Sequence, residues 1–197
     1  MFAIVKDGAI TQTANSVRKL FPNVSFAGGP NADFLRDNNV FDVVNGERKD
    51  DQYYFVTQGD ISLVGGVPTQ AYTSTAKALE DADAKDEDGN QVYVQEWDAD
   101  ANGGDGGMVD TSEKQINYGL KTSKTDQVKQ IANSRLTKTD WVVIRKAERD
   151  VDIPSATATY RAAVITECAR LEAAIAGAAD VDALAVVMGA QNWPVEP

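Results

Sequence analysis

The stretch LTKTDWVVIRKAERDVDIPSATATYRAAV, residues 136–164, decides how the C-terminal part of this chain folds. Apolar residues recur at helical spacing on both sides of Pro154. Proline cannot continue a helix, because its ring removes a backbone N–H and clashes with the preceding turn. We therefore expect a helix, a proline-bounded turn and a second helix, with Trp141 and Tyr160 as large apolar anchors.

The helix before the proline has a defined start and a predicted buried face. Thr139 or Asp140 can act as its N-cap, since a side-chain oxygen there accepts a hydrogen bond from a free N–H of the first turn. Three apolar residues follow at intervals of three and predict the face that packs inward: Trp141, Ile144 and Ala147. An earlier helix, with its N-cap at Ser123 or Thr125, is predicted to precede this one.

The helix after the proline is the longest predicted element and runs to Gly177, a residue type common just after a helix. Its apolar residues step by four, four, three and four: Tyr160, Val164, Cys168, Leu171 and Ile175. At about 1.5 Å per residue, this stripe is longer than the two preceding helices could cover. We expect the surplus near Leu171 and Ile175 to be buried against the β-rich part, another copy or a different protein. Cys168 is expected to be a small buried hydrophobe.

The whole chain is predicted to be an α+β protein in three parts. Residues 1–97 form a β-rich N-terminal domain, divided into a hairpin module (1–44) and a β-meander (45–97) interrupted at Gln58-Gly59-Asp60 and at Gly65-Gly66. Residues 98–110 form an acidic, glycine-rich linker. Residues 111–197 form a helical domain that ends in a short helix at Gly189.

Charge and composition exclude several classes of function. Between Asp81 and Asp110 there are ten acidic residues and one lysine, a net charge of −9 out of −11 for the chain. We expect no clustering of lysine and arginine on one face, so nucleic acid is not an expected partner. No apolar run reaches the roughly 18 residues of a membrane span, and the N-terminus does not resemble a signal peptide, so we expect folding in a cytoplasm.

The absence of histidine excludes most hydrolase mechanisms. Neither a Ser-His-Asp nor a Cys-His system can be built, and zinc loses its commonest ligand. There is also no glycine-rich phosphate-binding motif. We expect a protein that is not an enzyme and binds no cofactor, although paired carboxylates of the glycosidase type need no histidine.

One acidic segment offers a second interpretation besides the linker. Asp98, Asp100, Asn102 and Gly103 stand at positions one, three, five and six of an EF-hand-like calcium loop. Position twelve, which should supply a bidentate carboxylate, is Val109. A flexible linker is therefore favoured, and a weak cation site is the alternative.

A series of short motifs in the C-terminal part resembles a known module. The series is Arg135-Leu136, Thr139-Asp140-Trp141, Pro154, Tyr160-Arg161, and Trp193-Pro194 followed by Pro197. It resembles the C-terminal module of bacteriophage tail proteins of the tail assembly chaperone or tail fibre assembly type. The N-terminal MFAIVKDGAI and LFPNVSF are also similar to that family. The sequence departs from the family at Thr157, where a tryptophan is common, and in the longer alanine-rich helix that follows Arg161.

The resemblance implies a role in phage tail assembly through protein–protein contacts. We expect a structural protein of the tail, baseplate or fibre apparatus, located in the virion and assembled in the host cytoplasm. A fibre assembly chaperone absent from the particle is the alternative, and a calcium-binding module or a glycosidase is less favoured. Expected partners are other tail or fibre proteins, or a second copy. The candidate partner contacts are aromatic, arginine and surplus apolar residues, each of which could instead pack in the core: Trp141, Tyr160, Arg161, Leu171, Ile175 and Trp193.

Overall fold

A computed structural model describes all 197 residues, and its strands and helices confirm the α+β class. The chain divides into two compact units, residues 1–76 and residues 77–197. The predicted boundary was the segment 98–110, so residues 77–97 belong to the helical unit rather than to the N-terminal one. No helix combines the length and the apolar composition that crossing a membrane requires.

The first unit contains six strands and two short helices. The strands are β1 (Phe2–Lys6), β2 (Ala9–Ala14), β3 (Val40–Asp42), β4 (Val44–Asn45), β5 (Tyr54–Val64) and β6 (Val67–Ala76). The helices are α1 (Val17–Leu20) and α2 (Ala32–Asp37). Strand β1 lies between β2 and β3 in an antiparallel sheet, and β6 lies between β4, parallel to it, and β5, antiparallel to it.

Local sequence signals place the first sheet and its core. Asp7 and Gly8 both have positive φ angles, 50° and 74°, which is the geometry of the tight hairpin turn that Asp-Gly predicts. Helix α2 begins where Asn31 accepts a hydrogen bond from the Phe34 N–H at 2.8 Å. The Phe34 ring then packs edge-on against two other phenylalanine rings beside a small buried cluster: Ile4, Val17, Leu20 and Val40.

Strands β5 and β6 form one long hairpin, where the sequence predicts a meander of several. The chain turns only at Gly65-Gly66, and Gly59-Asp60 form an irregularity inside β5. The buried Gln70 side chain stabilises this irregularity, because its amide donates to the Gly59 carbonyl at 2.5 Å. A polar side chain on the neighbouring strand therefore replaces the missing ladder bonds, and the strand continues.

The second unit contains four strands and five helical segments. The strands are β7 (Ala82–Asp83), β8 (Tyr93–Asp98), β9 (Gly107–Lys114) and β10 (Ile116–Asn117). The helical segments are α3 (Ala101–Gly104), α4 (Leu120–Thr137), α5 (Asp140–Arg149), α6 (Ser155–Ala176) and α7 (Val181–Gly189). Strand β7 pairs with β10, and β8 pairs with β9, both antiparallel.

The segment predicted to be a linker is a β-hairpin. Residues 93–98 pair with residues 107–114, and the turn between them includes Asn102 and Gly103 with φ angles of 54° and 77°. The prediction of a linker at 98–110 is therefore wrong. Glycine and asparagine occur in flexible linkers and also supply the positive φ angles of turns, so composition alone did not separate the two.

Residues before the hairpin are tied to the first turn of α4, which explains the shifted boundary. The Asp81 carboxylate accepts from the Gly119 N–H at 2.7 Å and from the Thr122 hydroxyl at 2.9 Å. A Cβ on Gly119 would lie 2.5 Å from the Glu80 backbone, so this approach requires glycine. As a result α4 begins at Leu120, several residues before the predicted caps at 123 or 125, and reaches 18 residues.

Helices α4, α6 and α7 form the core of the second unit. Helix α6 packs against both α4 and α7, and α4 also packs against α7. The side chains between them are almost all aliphatic: Val128, Ala132, Val164, Leu171, Ile175, Val181, Leu184 and Met188. The predicted ends of α6 near Gly177 and of α7 at Gly189 are confirmed.

Candidate interaction site

Arg161 on α6 holds the turn between α4 and α5. One nitrogen, Nη1, donates to the Leu136 carbonyl at 2.8 Å, the Thr139 hydroxyl at 2.7 Å and the Asp140 carboxylate at 2.9 Å. Thr139 is buried and itself donates to the Leu136 carbonyl at 3.0 Å. We call Leu136, Thr139, Asp140 and Arg161 the Arg161 cluster. It fixes the direction in which α5 leaves the bundle.

The C-terminal segment lies along α4 and is held by a second arginine. The Arg135 guanidinium is 5.4 Å from the centre of the Trp193 ring and donates to the Pro194 carbonyl at 3.3 Å. Lys138 forms an ion pair with Glu196 at 2.8 Å. Trp193 also packs against the buried cluster of α4 and α6 side chains. The Arg-Leu and Trp-Pro motifs, 59 residues apart in sequence, therefore meet in the fold.

Glu167 on α6 is a buried anchor that the sequence interpretation missed. Its carboxylate makes two hydrogen bonds of 2.7 Å with Arg170 and accepts from the Asn192 backbone N–H at 2.7 Å. The hydrogen bonds from Arg170, with that from Asn192, hold the pKa of Glu167 below its ordinary value of 4.5 against the opposing effect of burial. A signal was available, since Glu167 lies at helical spacing between Val164 and Leu171 in an otherwise apolar stripe.

Three of the six predicted partner contacts are core residues. Tyr160 is 4% exposed, and Leu171 and Ile175 are fully buried within the chain. The surplus face predicted on α6 does not exist, because α4 is longer than the sequence indicated and α7 folds back against α6. Burial of Leu171 and Ile175 is correct, but the partner is the helical unit itself.

Arg161 and Trp193 are partly buried and make the intramolecular contacts described above. Arg161 forms hydrogen bonds in the α4–α5 turn, and Trp193 stacks with Arg135 where the C-terminal segment lies along α4. Cys168, also on the stripe, is half-buried and donates a weak hydrogen bond to Glu172 at 3.3 Å. Burial, together with Glu172, raises the pKa of the Cys168 thiol, which makes it a poor nucleophile.

Trp141 is the one predicted contact residue that faces solvent. It is 59% exposed and Ile144 is 54% exposed, whereas the sequence predicts both to be buried. The buried residue of α5 is Val142 instead. Since the Arg161 cluster orients the first turn of α5, the apolar side chains at 141 and 144 point away from the bundle. We call Trp141, Ile144, Arg145 and Arg149, which share one side of the helix, the α5 face.

The arginine next to Trp141 completes this face. The Arg145 guanidinium is 5.0 Å from the centre of the Trp141 ring, a cation–π distance, and no carboxylate pairs with it. Its Nε is buried without a hydrogen-bond partner. In contrast, the neighbouring Lys146 forms ion pairs with Asp150 and Asp152 at 2.6 and 2.8 Å. The α5 face thus combines an exposed tryptophan with a positive charge that has no partner of opposite sign.

The acidic segments are used in local structure. Asp98 accepts from the Asp100 backbone N–H at 2.9 Å, and the Asn102 amide donates to the Gly106 carbonyl at 3.0 Å. No group of three or more Cys, Asp or Glu side chains is arranged to hold a metal ion. Asp86 has a lowered pKa because Asn90 and neighbouring backbone N–H groups donate to it. A lowered pKa keeps a carboxylate ionised, which is the opposite of what a general acid needs.

No protein-family model, no curated protein and no solved structure matches the chain.

Proposed function

We propose that this chain is a structural component of a bacteriophage tail, baseplate or fibre apparatus and that it binds a neighbouring tail protein through the α5 face. The observation that carries the proposal is the exposure of Trp141, 59% of whose surface is accessible, on a helix held in a fixed direction. Tryptophan and arginine are the residues most enriched among energetically dominant interface contacts.

The Arg161 cluster supports this role because it makes the exposed face rigid. Three hydrogen bonds from one guanidinium group join α6 to the end of α4 at Leu136 and to the start of α5 at Thr139 and Asp140, directly before Trp141. A side chain that is already oriented loses little conformational entropy on binding, so the binding energy is not spent on ordering it. By holding the start of α5 in one orientation, the Arg161 cluster keeps the α5 face ready to bind a partner.

The resemblance to tail assembly proteins is the reason for proposing a phage tail as the system. The residues that carry it fall into two groups in the fold. Arg135, Thr139, Arg161 and Trp193 build the support, and Trp141 is left outside it. In a module with that arrangement, most of the motif residues would stabilise the fold, and one aromatic side chain, Trp141, would contact other tail proteins.

Quantitative mass spectrometry of purified virions tests the proposal. A structural component should be present in a fixed ratio to known tail proteins. Abundance in the infected lysate together with absence from particles would refute it and favour the assembly chaperone.

A variant comparison tests the surface itself. Trp141→Ser should reduce incorporation into particles at least tenfold, whereas Val186→Ser, which removes a 72% exposed apolar side chain from α7, should leave incorporation unchanged. Equal incorporation of both variants would exclude the α5 face as the binding surface.

A further inference from the structure

The second unit carries opposite charges in two adjacent parts of the sequence. Residues 81–110 hold ten acidic residues and one lysine, a net charge of −9. Residues 114–149 hold nine lysines and arginines and three acidic residues, a net charge of +6. Lys114, Lys121, Lys138 and Lys146 are already ion-paired within the chain. The cations that matter for a contact between copies are therefore those without such a pair, among them Arg145 and Arg149, and the total charge of −11 would otherwise make copies repel.

The acidic region has an exposed apolar centre at the tip of the β8–β9 hairpin. Trp97 and Met108 stand directly opposite each other on the two strands and are 66% and 56% exposed. The Trp97 ring lies against Gly106, where a Cβ would come within 2.5 Å of it. This close contact therefore requires glycine at 106. We call Trp97, Asp100, Asp105 and Met108 the hairpin tip.

The rim of the hairpin tip carries carboxylates and no basic residue. No lysine or arginine occurs between Asp86 and Glu113. Asp100 and Asp105 are exposed, and neither forms an ion pair. Asp98 differs, since its carboxylate orders the turn by accepting from the Asp100 N–H. The tip thus presents an aromatic side chain surrounded by carboxylates.

The α5 face has the complementary composition. Its exposed Trp141 and Ile144 are flanked by Arg145 and Arg149, neither of which has a carboxylate partner in the chain. Glu148 lies on the same side of the helix, seven residues after Trp141, and forms no ion pair with either arginine. The face therefore presents an aromatic side chain accompanied by guanidinium groups, which pair with carboxylates in a bidentate geometry.

We propose that the hairpin tip of one copy binds the α5 face of a second copy. Trp97 and Met108 would cover Trp141 and Ile144, while Asp100 and Asp105 pair with the two arginines. Because the two surfaces differ, the contact is head-to-tail, and repetition gives a ring or a filament rather than a closed twofold dimer. This inference rests on the proposed function in that it uses the same α5 face and names a second copy as its partner.

Sedimentation velocity of the full chain at about 20 mM and about 300 mM salt tests the inference. The Debye length, over which charges are screened, falls from roughly 20 Å to roughly 6 Å over that range. We expect association that weakens at least tenfold at high salt. The sign is diagnostic, because repulsion between two chains of charge −11 would make association increase with salt. A chain that stays monomeric at low salt up to the highest soluble concentration overturns the inference.

Charge reversal identifies the surfaces. Asp100→Lys with Asp105→Lys, or Arg145→Glu with Arg149→Glu, should each abolish association while the circular dichroism melting curve shows a folded chain. The control, Glu87→Lys with Asp88→Lys, makes the same charge change elsewhere in the acidic region and should leave association within about threefold of wild type. Equal loss in the control would overturn the inference.

Mixing the two reversed variants gives the decisive result. Each retains one intact surface, and the two reversed surfaces carry Lys opposite Glu, so an equimolar mixture should regain the association that neither variant shows alone. A mixture that stays monomeric, with both variants folded, overturns head-to-tail association. A monomeric chain that is nevertheless stoichiometric in virions would remove this inference alone, whereas an associating chain absent from particles would remove the proposed function alone.

Discussion

Helices α5 and α6 follow each other in the chain, and their apolar faces end in opposite environments. The α6 stripe is buried, with Leu171 and Ile175 fully inaccessible. The α5 residues Trp141 and Ile144 are more than half exposed. Both helices show the same kind of apolar periodicity, so periodicity does not decide burial here.

The difference lies in what surrounds each helix. Helix α6 has 22 residues and packs along α4, which has 18, with α7 on another side. Helix α5 has ten residues, joins the bundle through its first turn and buries only Val142. A helix face is buried when another element of matching length lies against it, and α5 lacks one. We propose that this apolar face, which has no such neighbour within the chain, is the part that binds another molecule.

The largest expected effect on stability is at the buried face of α6. Leu171→Asp places a charge where no solvent and no partner reaches, so the second unit should lose more than about 4 kcal/mol of stability and unfold. Far-ultraviolet circular dichroism should show the loss of helix. A surplus face on α6 would have predicted the reverse, a folded chain that fails only to bind.

Ile165→Asp is the matched control, because Ile165 lies on the same helix and is 56% exposed. It should cost less than about 1 kcal/mol. If both variants unfold to the same extent, α6 is not divided into a buried and an exposed face as described.

The next largest effect on stability is expected at Arg161, which connects α6 to the start of α5. Arg161→Ala removes all three hydrogen bonds that hold the turn between α4 and α5, and should cost about 2–3 kcal/mol, since one partner is a carboxylate. Arg161→Lys keeps the charge but not the planar geometry, so its cost should fall between those of alanine and wild type. Urea denaturation measures both. Arg149→Ala, at an exposed arginine without an ion pair, should change stability by less than about 0.5 kcal/mol, and an equal cost there would contradict the assigned role.

A smaller effect concerns the anchor at Glu167. Glu167→Gln should cost about 1–2 kcal/mol, because charge-assisted hydrogen bonds from Arg170 and from the Asn192 N–H are weakened. The pKa of Glu167 is lower in the folded chain than its ordinary 4.5. The contribution is therefore complete above about pH 4.5 and is lost as the pH falls toward the folded-state pKa.

Denaturation at pH 7 and near pH 4 tests this dependence. Wild type and Glu167→Gln should differ clearly at pH 7, and the difference should shrink at the lower pH. A difference that stays constant over this range would show that protonation of Glu167 is not responsible.

The sequence predicts the parts of this fold that depend on local backbone signals. Pro154, Gly177 and Gly189 correctly mark where helices begin and end, and Asp7-Gly8 marks a hairpin. The Arg161 cluster could not be predicted in the same way, because its contacts join residues 21 to 25 apart through tertiary packing. The direction of α5 depends on that cluster. Apolar periodicity in the sequence therefore could not predict that Trp141 is exposed.

The smallest expected effect on folding is at Trp141. Since its side chain is 59% exposed and its main neighbour is the Arg145 guanidinium, Trp141→Ser should change the free energy of unfolding by less than about 1 kcal/mol. Association or incorporation should nevertheless fall at least tenfold, because a central aromatic residue of an interface contributes about 2 kcal/mol or more. Parallel urea denaturation and binding measurements on the same preparation separate the two quantities. Val142→Ser, one residue away and 3% exposed, should behave oppositely, with a large loss of stability. If Trp141→Ser destabilises the chain as much as Val142→Ser, then α5 packs through the tryptophan, and the contrast between the two helices is lost.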